Sequence, residues 1–271
     1  MADGSELANS YQHCCEVARA AARNFYYGFL LLPREKREAL CALYAFMRHA
    51  DDLSDAAGET QNKRERLKAW SAALDRAMEG NYGKSRVLPA LHHTIKRYAI
   101  PLSYFHDLME GAEMDLSITT YASFDLLERY CYCVAGTVGL CCLHVFGFQD
   151  PHALDLASRL GTAFQLTNIL RDVSEDYGMG RVYLPQEDVR RFGCTENDFA
   201  STSASKDFTE LIRFEVIRAW QYYAAGTPLL HLVSPDSRPA LWTLIRIYSG
   251  ILQKIETIQY DVLAKPRPRL S

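Results

Sequence analysis

Two pairs of aspartates are placed where they could do chemistry. Asp51 and Asp55 are four residues apart, as are Asp172 and Asp176, so on a helix each pair shares one face. Like charges at that spacing repel, and one pair taken alone reads most simply as a solvated acidic face. Each pair, however, continues a longer polar stripe: Tyr44, Arg48, Asp51, Asp55 at offsets of 4, 3 and 4, and Gln165, Asn168, Asp172, Asp176 at offsets of 3, 4 and 4. These spacings normally carry an apolar, core-facing seam. Buried polar groups need partners, and two facing acidic stripes need a cation between them. Mg²⁺ suits that place, because it takes carboxylate oxygens and keeps positions for water and substrate phosphates. Arg48, Arg171 and Arg181 stand near the stripes with forked donors for the remaining phosphate oxygens. The chemistry expected is ionisation of a diphosphate ester in an apolar cavity, where aromatic faces or oriented dipoles keep an allylic cation from water.

Helices are needed to hold such stripes, and helical periodicity dominates. Leu40, Leu43, Ala45, Phe46, Met47 and Ala50 recur at helical spacing between Arg34 and Asp55, with Pro33 suited to the first turn and Gly58 to the stop. Further helices are expected over 9–24, 62–78, 85–98, 102–116, 123–146, 151–177, 207–231 and 237–262. No segment alternates with period two long enough to demand a strand, and only 193–206 has loop-like composition over a dozen residues. The expectation is a single all-α domain over 1–271, a helical bundle around a central cavity, with a short flexible N-terminus (1–8) and a basic, frayed C-terminal tail (263–271).

Composition excludes several classes. With 30 Lys+Arg against 33 Asp+Glu the net charge is −3, which argues against nucleic acid as a partner. The chain is 48% hydrophobic and 23% charged, enough for a substantial core. The N-terminus has neither a secretory nor a transit pattern, and the weakly polar run Val134–Phe148 is shorter than the ~20 residues of a membrane-spanning helix, so it is expected to be a buried helix. The 8 cysteines form no C-x-x-C pair and are expected as buried free thiols of a reducing cytosol. His92-His93 and His106-Asp107 raise a metal phosphohydrolase of His-Asp type as a rival, although its remaining ligands are not evident and capping or surface roles suit these histidines. A non-catalytic helical scaffold is a third reading, disfavoured because both aspartate pairs are intact. Gly178-Met-Gly180 follows a helix and opens no βαβ unit, so it is a turn and not a dinucleotide site.

The motifs resemble those of the squalene and phytoene synthases, the head-to-head prenyl transferases. They are Ala42–Arg48 leading into Asp51-Asp-Leu-Ser-Asp55, Tyr130–Gly139, Gln165–Asp176, and Gly180-Arg-Val-Tyr-Leu-Pro185, in family order from about Tyr11 to Tyr260. The resemblance implies an isoprenoid-synthase-type bundle in which Asp51, Asp55, Asp172 and Asp176 hold Mg²⁺ and the diphosphates. It implies that Tyr44, Arg48, Gln165, Asn168, Arg171 and Arg181 bind or orient diphosphate, that Tyr130 and Tyr248 line the reaction centre, and that Asp115 adds a polar contact. One departure is Ala21-Ala-Arg-Asn24, where relatives carry a Ser-rich stretch; Arg23 and Asn24 could still donate to phosphate.

The implied reaction is Mg²⁺-assisted departure of diphosphate from one prenyl diphosphate, alkylation of a second, and cyclopropane closure by proton loss. The product is presqualene diphosphate from two farnesyl diphosphates, or squalene if a second ionisation follows and NADPH reduces it. The alternative is a phytoene synthase acting on two geranylgeranyl diphosphates. Phe29 either shortens the prenyl tunnel toward fifteen-carbon substrates or is ordinary core. The wording at 24–29 and 144–148 is similar to bacterial squalene-branch members, which favours farnesyl diphosphate. A cytoplasmic enzyme touching the inner membrane peripherally is expected, because its product belongs in lipid.

Overall fold

The helical periods are met by helices. A computed structural model describes residues 4–264 and 267–268, with the side chains of 23 and 24 outside that description. In order, the elements are α1 (Gly4–Ala21), α2 (Arg23–Phe29), α3 (Arg34–Asp55), α4 (Thr60–Met78), α5 (Leu88–Tyr98), α6 (Ser103–Met114) and α7 (Phe124–Cys131). A π turn (Tyr132–Gly136) joins α7 to α8 (Thr137–Phe146), followed by α9 (His152–Gly178), α10 (Gln186–Arg191), α11 (Glu196–Phe199), α12 (Lys206–Gly226), α13 (Leu229–Leu232) and α14 (Arg238–Thr257). Among the described residues there is no strand, only isolated bridges of Thr120 with Val182 and Phe148 with Val233.

Several boundaries depart from the expected ones for local reasons. Residues 4–8, expected to be flexible, already belong to α1. The expected 207–231 helix breaks at Thr227, before Pro228, whose ring nitrogen cannot donate. The last long helix stops at Thr257, and Gln259 and Tyr260 take positive φ of 54° and 63°. The unforeseen α10 starts after Pro185, with Glu187 and Asp188 in its first turn and Arg190 and Arg191 in its last, charges that suit the helix dipole. Within 193–206, α11 is nucleated by a capping box of Thr195 and Asp198.

The core forms around α9, which packs on α12, α8, α14 and the π turn, while α3 packs on α1, α4, α5, α6 and α8. The crossing of α9 with the 132–146 segment is at backbone contact. A Cβ at Gly161 would lie 2.3 Å from the Ala135 carbonyl oxygen, and one at Gly139 2.6 Å from that of Ala157. Below this crossing Arg218 of α12 is fixed between two buried carboxylates, 2.9 Å from Asp188 and 2.7 Å from Glu215, and lies 4.0 Å from the Phe124 ring centre.

The continuous helix Phe124–Phe146 exceeds the run read from sequence and is long and apolar enough to cross a membrane by length and composition. Here it is a core element: Leu127, Cys131, Leu140 and Leu143 are buried, and Val134 and Val138 line the central cavity. All eight cysteines are free thiols, six of them buried.

Candidate active site

The cavity between α3 and α9 has a volume of about 360 Å³. Leu40, Leu43, Val134, Val138, Leu160 and Leu244 supply its apolar wall, and Phe29, 4% exposed, stands in that wall. Phe29 is therefore both buried and part of the cavity lining. An aromatic series continues from it: Phe25 lies 6.5 Å from Phe29 and 5.3 Å from Tyr248, and Tyr248 stacks on Phe164 with centroids 4.6 Å apart. Such faces can stabilise a cation that has lost its diphosphate. The helical spacing did not by itself distinguish Phe25 and Phe164 from ordinary core.

The inner parts of both polar stripes open into the same cavity, whereas Asp55, Asp172 and Asp176 are not among its lining residues. Tyr44, Arg48 and Asp51 from α3 line it, as do Gln165 and Asn168 from α9, with Tyr130, Asp115 and Tyr248. The Asn168 amide donates to Gln165 Oε1 at 3.4 Å, so the two amides are arranged together. Asp172 and Asp176 continue the α9 stripe by one and two helical turns. Asp176 and Arg181 line a small adjoining recess. Expected to be buried, Asp51 and Asp55 are instead exposed at the end of α3. Asp51 is reached by water and surrounded by protein at once, as befits a side chain on a concave rim.

Electrostatics joins the stripes into one site. Burial pushes the Asp51 carboxyl up to about 7 against the pull of Arg48, and Asp55 and Asp115 add to the rise. Asp176 is also raised to about 7, first by burial and then by Asp172, with Arg181 opposing. Asp115, at the end of α6, feels Asp55 from one stripe and raises Asp176 of the other. It accepts hydrogen bonds from the hydroxyls of Tyr183 (2.9 Å) and Tyr130 (3.1 Å), and Arg181 donates to its carbonyl at 3.1 Å. Burial raises the Asp115 carboxyl, and the two phenols and Arg181 partly offset it. This hub depends on the loop before α10 and the start of that helix, where the Val182 and Gln186 amides donate to the carbonyls of Thr119 and Tyr121.

The arginines near the rim all hold partners within the protein. Arg48 pairs with Asp52 at 2.6 Å. Arg171 is not among the cavity-lining residues and clasps Asp172 through Nε at 2.8 Å and Nη2 at 2.5 Å. Arg267, in the tail expected to be frayed, reaches Asp172 at 3.0 Å and also pairs with Glu175. The side chains of Arg23 and Asn24, like residues 1–3, 265–266 and 269–271, lie outside the described residues.

The histidines do not assemble a phosphohydrolase centre. The Tyr82 hydroxyl is 2.9 Å from His92, that of Tyr11 is 2.8 Å from His93, and His106 faces Asp75 at 3.2 Å, not Asp107. Among the described residues no three His, Cys, Asp or Glu side chains form a group that could hold a metal on their own. The rim nevertheless fits a hard divalent cation. Its donors are carboxylates, two of them raised mainly by burial and further by neighbouring carboxylates, and Mg²⁺ is usually bound by one or two carboxylates plus substrate phosphates.

Comparisons with known proteins place nearly the whole chain in one family. The family model for squalene/phytoene synthase matches residues 18–271. The chain is 37% identical over 268 residues to a phytoene synthase of Arthrospira platensis, covering 94% of this chain and 86% of that one. It is 38% identical over 263 residues to a phytoene synthase of Mycobacterium tuberculosis, covering 95% and 86%. Its fold is similar to that of a ligand-bound dehydrosqualene synthase at a TM-score of 0.88, with 32% identity over 95% of this chain and 90% of that one. The squalene synthase HpnC of Alicyclobacillus acidocaldarius follows at 0.86, with 30% identity over 94% and 96%. With residues 18–271 matched by the family model and relatives at 37% and 38% identity over nearly the whole chain, the protein belongs to the squalene/phytoene synthase family of prenyltransferases, enzymes of head-to-head prenyl condensation.

Proposed function

We propose that the enzyme condenses two geranylgeranyl diphosphates, by way of the cyclopropyl diphosphate, to phytoene. The observation that carries the choice of substrate is that the curated relatives at 37% and 38% identity are phytoene synthases. The farnesyl preference drawn from the wording at 24–29 and 144–148 gives way to it. Phe29 in the cavity wall is compatible with either chain length, because chain length also depends on how far the neighbouring side chains yield.

Mg²⁺, when bound to the rim, would draw charge from the departing diphosphate and make it a better leaving group. Asp51, Asp55, Asp172 and Asp176 are the residues that would hold it. Arg48 and Arg181 would orient the phosphate oxygens, Gln165 and Asn168 would donate from their amides, and Tyr44 from its hydroxyl. Tyr130, held by Asp115, and Tyr248, stacked on Phe164, would shield the cation and fix the prenyl chains. A product reached by losing a proton needs no NADPH, whereas a squalene product would. Eight free thiols fit a reducing cytoplasm, and a forty-carbon hydrocarbon product would favour peripheral contact with a membrane.

Incubation of the protein and Mg²⁺ with geranylgeranyl or farnesyl diphosphate, with and without NADPH, tests this by mass spectrometry of the lipid. The expected result is a forty-carbon hydrocarbon independent of NADPH. A thirty-carbon product formed in preference would overturn the substrate assignment, and phosphate release without a new carbon–carbon bond would overturn the reaction.

A further inference from the structure

The wall that closes the cavity on the side of α2, α13 and α14 is one helix thick and apolar on both faces. From α2 the rings of Phe25 and Phe29 line the cavity, while Tyr27 of the same helix and Leu30 and Leu31 in the turn that ends it are exposed. From α14 Leu241 and Leu244 line the cavity, while Trp242 is 55% exposed. Outside, Leu31, Leu230, Pro239 and Trp242 border an open groove of about 500 Å³ with His231 and Arg238 at its edge. Of the seven large apolar side chains exposed among the described residues, Tyr27, Leu30, Leu31 and Trp242 all fall on this wall. Scattered exposed apolar residues need no explanation, but a cluster marks a contact face.

The charge beside the cluster identifies the partner. Arg238, Trp242 and Arg246 follow one another at intervals of 4 along α14, so they form one stripe on its outer surface. Arg238 donates to the carbonyls of Val233 and His231, and Arg246 lies 5.9 Å from the centre of the Trp242 ring. Among the described residues neither is paired with a carboxylate, and the nearby Asp236 is engaged by Lys36 at 2.8 Å. An aromatic and aliphatic cluster flanked by unneutralised cations matches an anionic bilayer surface, with apolar groups in the interfacial region and guanidinium groups among headgroups. A second copy of the chain is disfavoured, because a two-fold contact through this stripe would bring its like charges together.

We propose that the outer face of α2, α13 and α14 docks on a bilayer containing anionic lipid, setting the apolar wall of the cavity against the phase in which its product dissolves. That product rests on the proposed condensation, whereas the docking does not. A failed condensation assay with intact docking, or the reverse, would therefore separate the two.

The test is flotation of the full chain at low salt with phosphatidylcholine vesicles, with and without about one third phosphatidylglycerol. Most of the protein is expected to float with the anionic vesicles. Leu31→Ser with Trp242→Ser should lower binding roughly tenfold, and Arg238→Gln with Arg246→Gln should remove most of its salt dependence. Leu126→Ser with Ile217→Ser, which alters exposed apolar residues elsewhere, should float like the wild type. Quenching by brominated lipid needs no destabilising change: the emission lost on Trp242→Phe should be the quenched component. No flotation, equal flotation of the Leu31/Trp242 variant, or an unquenched Trp242 would overturn the proposal. So would a concentration-dependent dimer that the same variant abolishes.

Discussion

Replacing Gly161 with alanine tests the closest crossing in the fold. The added methyl would lie 2.3 Å from the Ala135 carbonyl oxygen, 2.7 Å from its carbon and 2.8 Å from the Gly136 Cα. All three are backbone atoms, so no rotamer change can relieve the contact and the helices must separate. Overpacking of this kind typically costs about 1–3 kcal/mol, and a backbone clash belongs at the upper end. Alanine's better helix propensity returns about 1 kcal/mol, leaving a net loss of about 2 kcal/mol. At roughly 2–4 °C per kcal/mol for a chain of this size, Tm should fall by about 4–8 °C. Gly178 on the same helix is the control, because a Cβ there meets nothing within 4 Å. Gly178→Ala should leave stability unchanged or raise it by up to about 1 kcal/mol. Urea melts followed by circular dichroism measure both. Turnover of Gly161→Ala should fall further than its folded fraction, because Ala135 and Gly161 line the cavity. A Gly161→Ala protein as stable as the wild type, or a Gly178→Ala protein less stable than it, would refute the packing argument.

Other outcomes follow from the rim and the core. Asp51→Asn with Asp172→Asn should lower kcat by at least about a hundredfold and abolish the Mg²⁺-induced rise in Tm; full activity on either prenyl diphosphate would remove both from the metal site. Asp51 and Asp176 are raised from 3.8 to about 7, so between those values the folded protein binds more protons than the unfolded chain. Their contribution to stability is present below about pH 4 and is lost as pH rises to about 7. Tm of the metal-free protein should therefore decline more steeply over that window than Tm of an Asp51→Asn/Asp176→Asn variant, and saturating Mg²⁺ should flatten the wild-type slope. Equal slopes in the two proteins would mean that these carboxyls are not raised. Arg218→Leu strands Asp188 and Glu215, which are 4% and 2% exposed, and should cost about 3 kcal/mol in urea melts, partly recovered at low pH because burial raises Glu215 to about 7. A loss under about 1 kcal/mol would show that the two carboxylates find water or other donors.

Much of the site was legible because it lies on two long helices. Tyr44, Arg48 and Asp51, and likewise Gln165 and Asn168, needed only helical spacing to be placed on one face, and they line the cavity. What escaped depends on contacts distant in sequence. Asp115 becomes the hub between the stripes only because the 180–187 loop bonds to residues 119–122 and brings Tyr183 to it. The commitment of Arg171 to Asp172, its neighbour in sequence, reflects a choice of rotamer that spacing does not encode. Arg267 lies in a Pro-rich tail whose composition reads as frayed, yet its guanidinium meets the surplus negative charge of Asp172 and Glu175. The π turn at 132–136 lies in an unbroken helical pattern and coincides with the tight crossing with α9, where Gly161 lets the backbones approach.

The separation of the two stripes along the chain also bears on how the protein is made. A chain leaving the ribosome exposes α3 long before α9 is synthesised, and α3 alone offers only Asp51 and Asp55 on an open helix face. The full rim does not exist until α9 closes over the cavity, so a nascent fragment carries only half of the carboxylates that would hold a magnesium diphosphate. Substrate and metal can then stabilise only the completed fold, where their binding energy adds to its stability instead of trapping a half-made one.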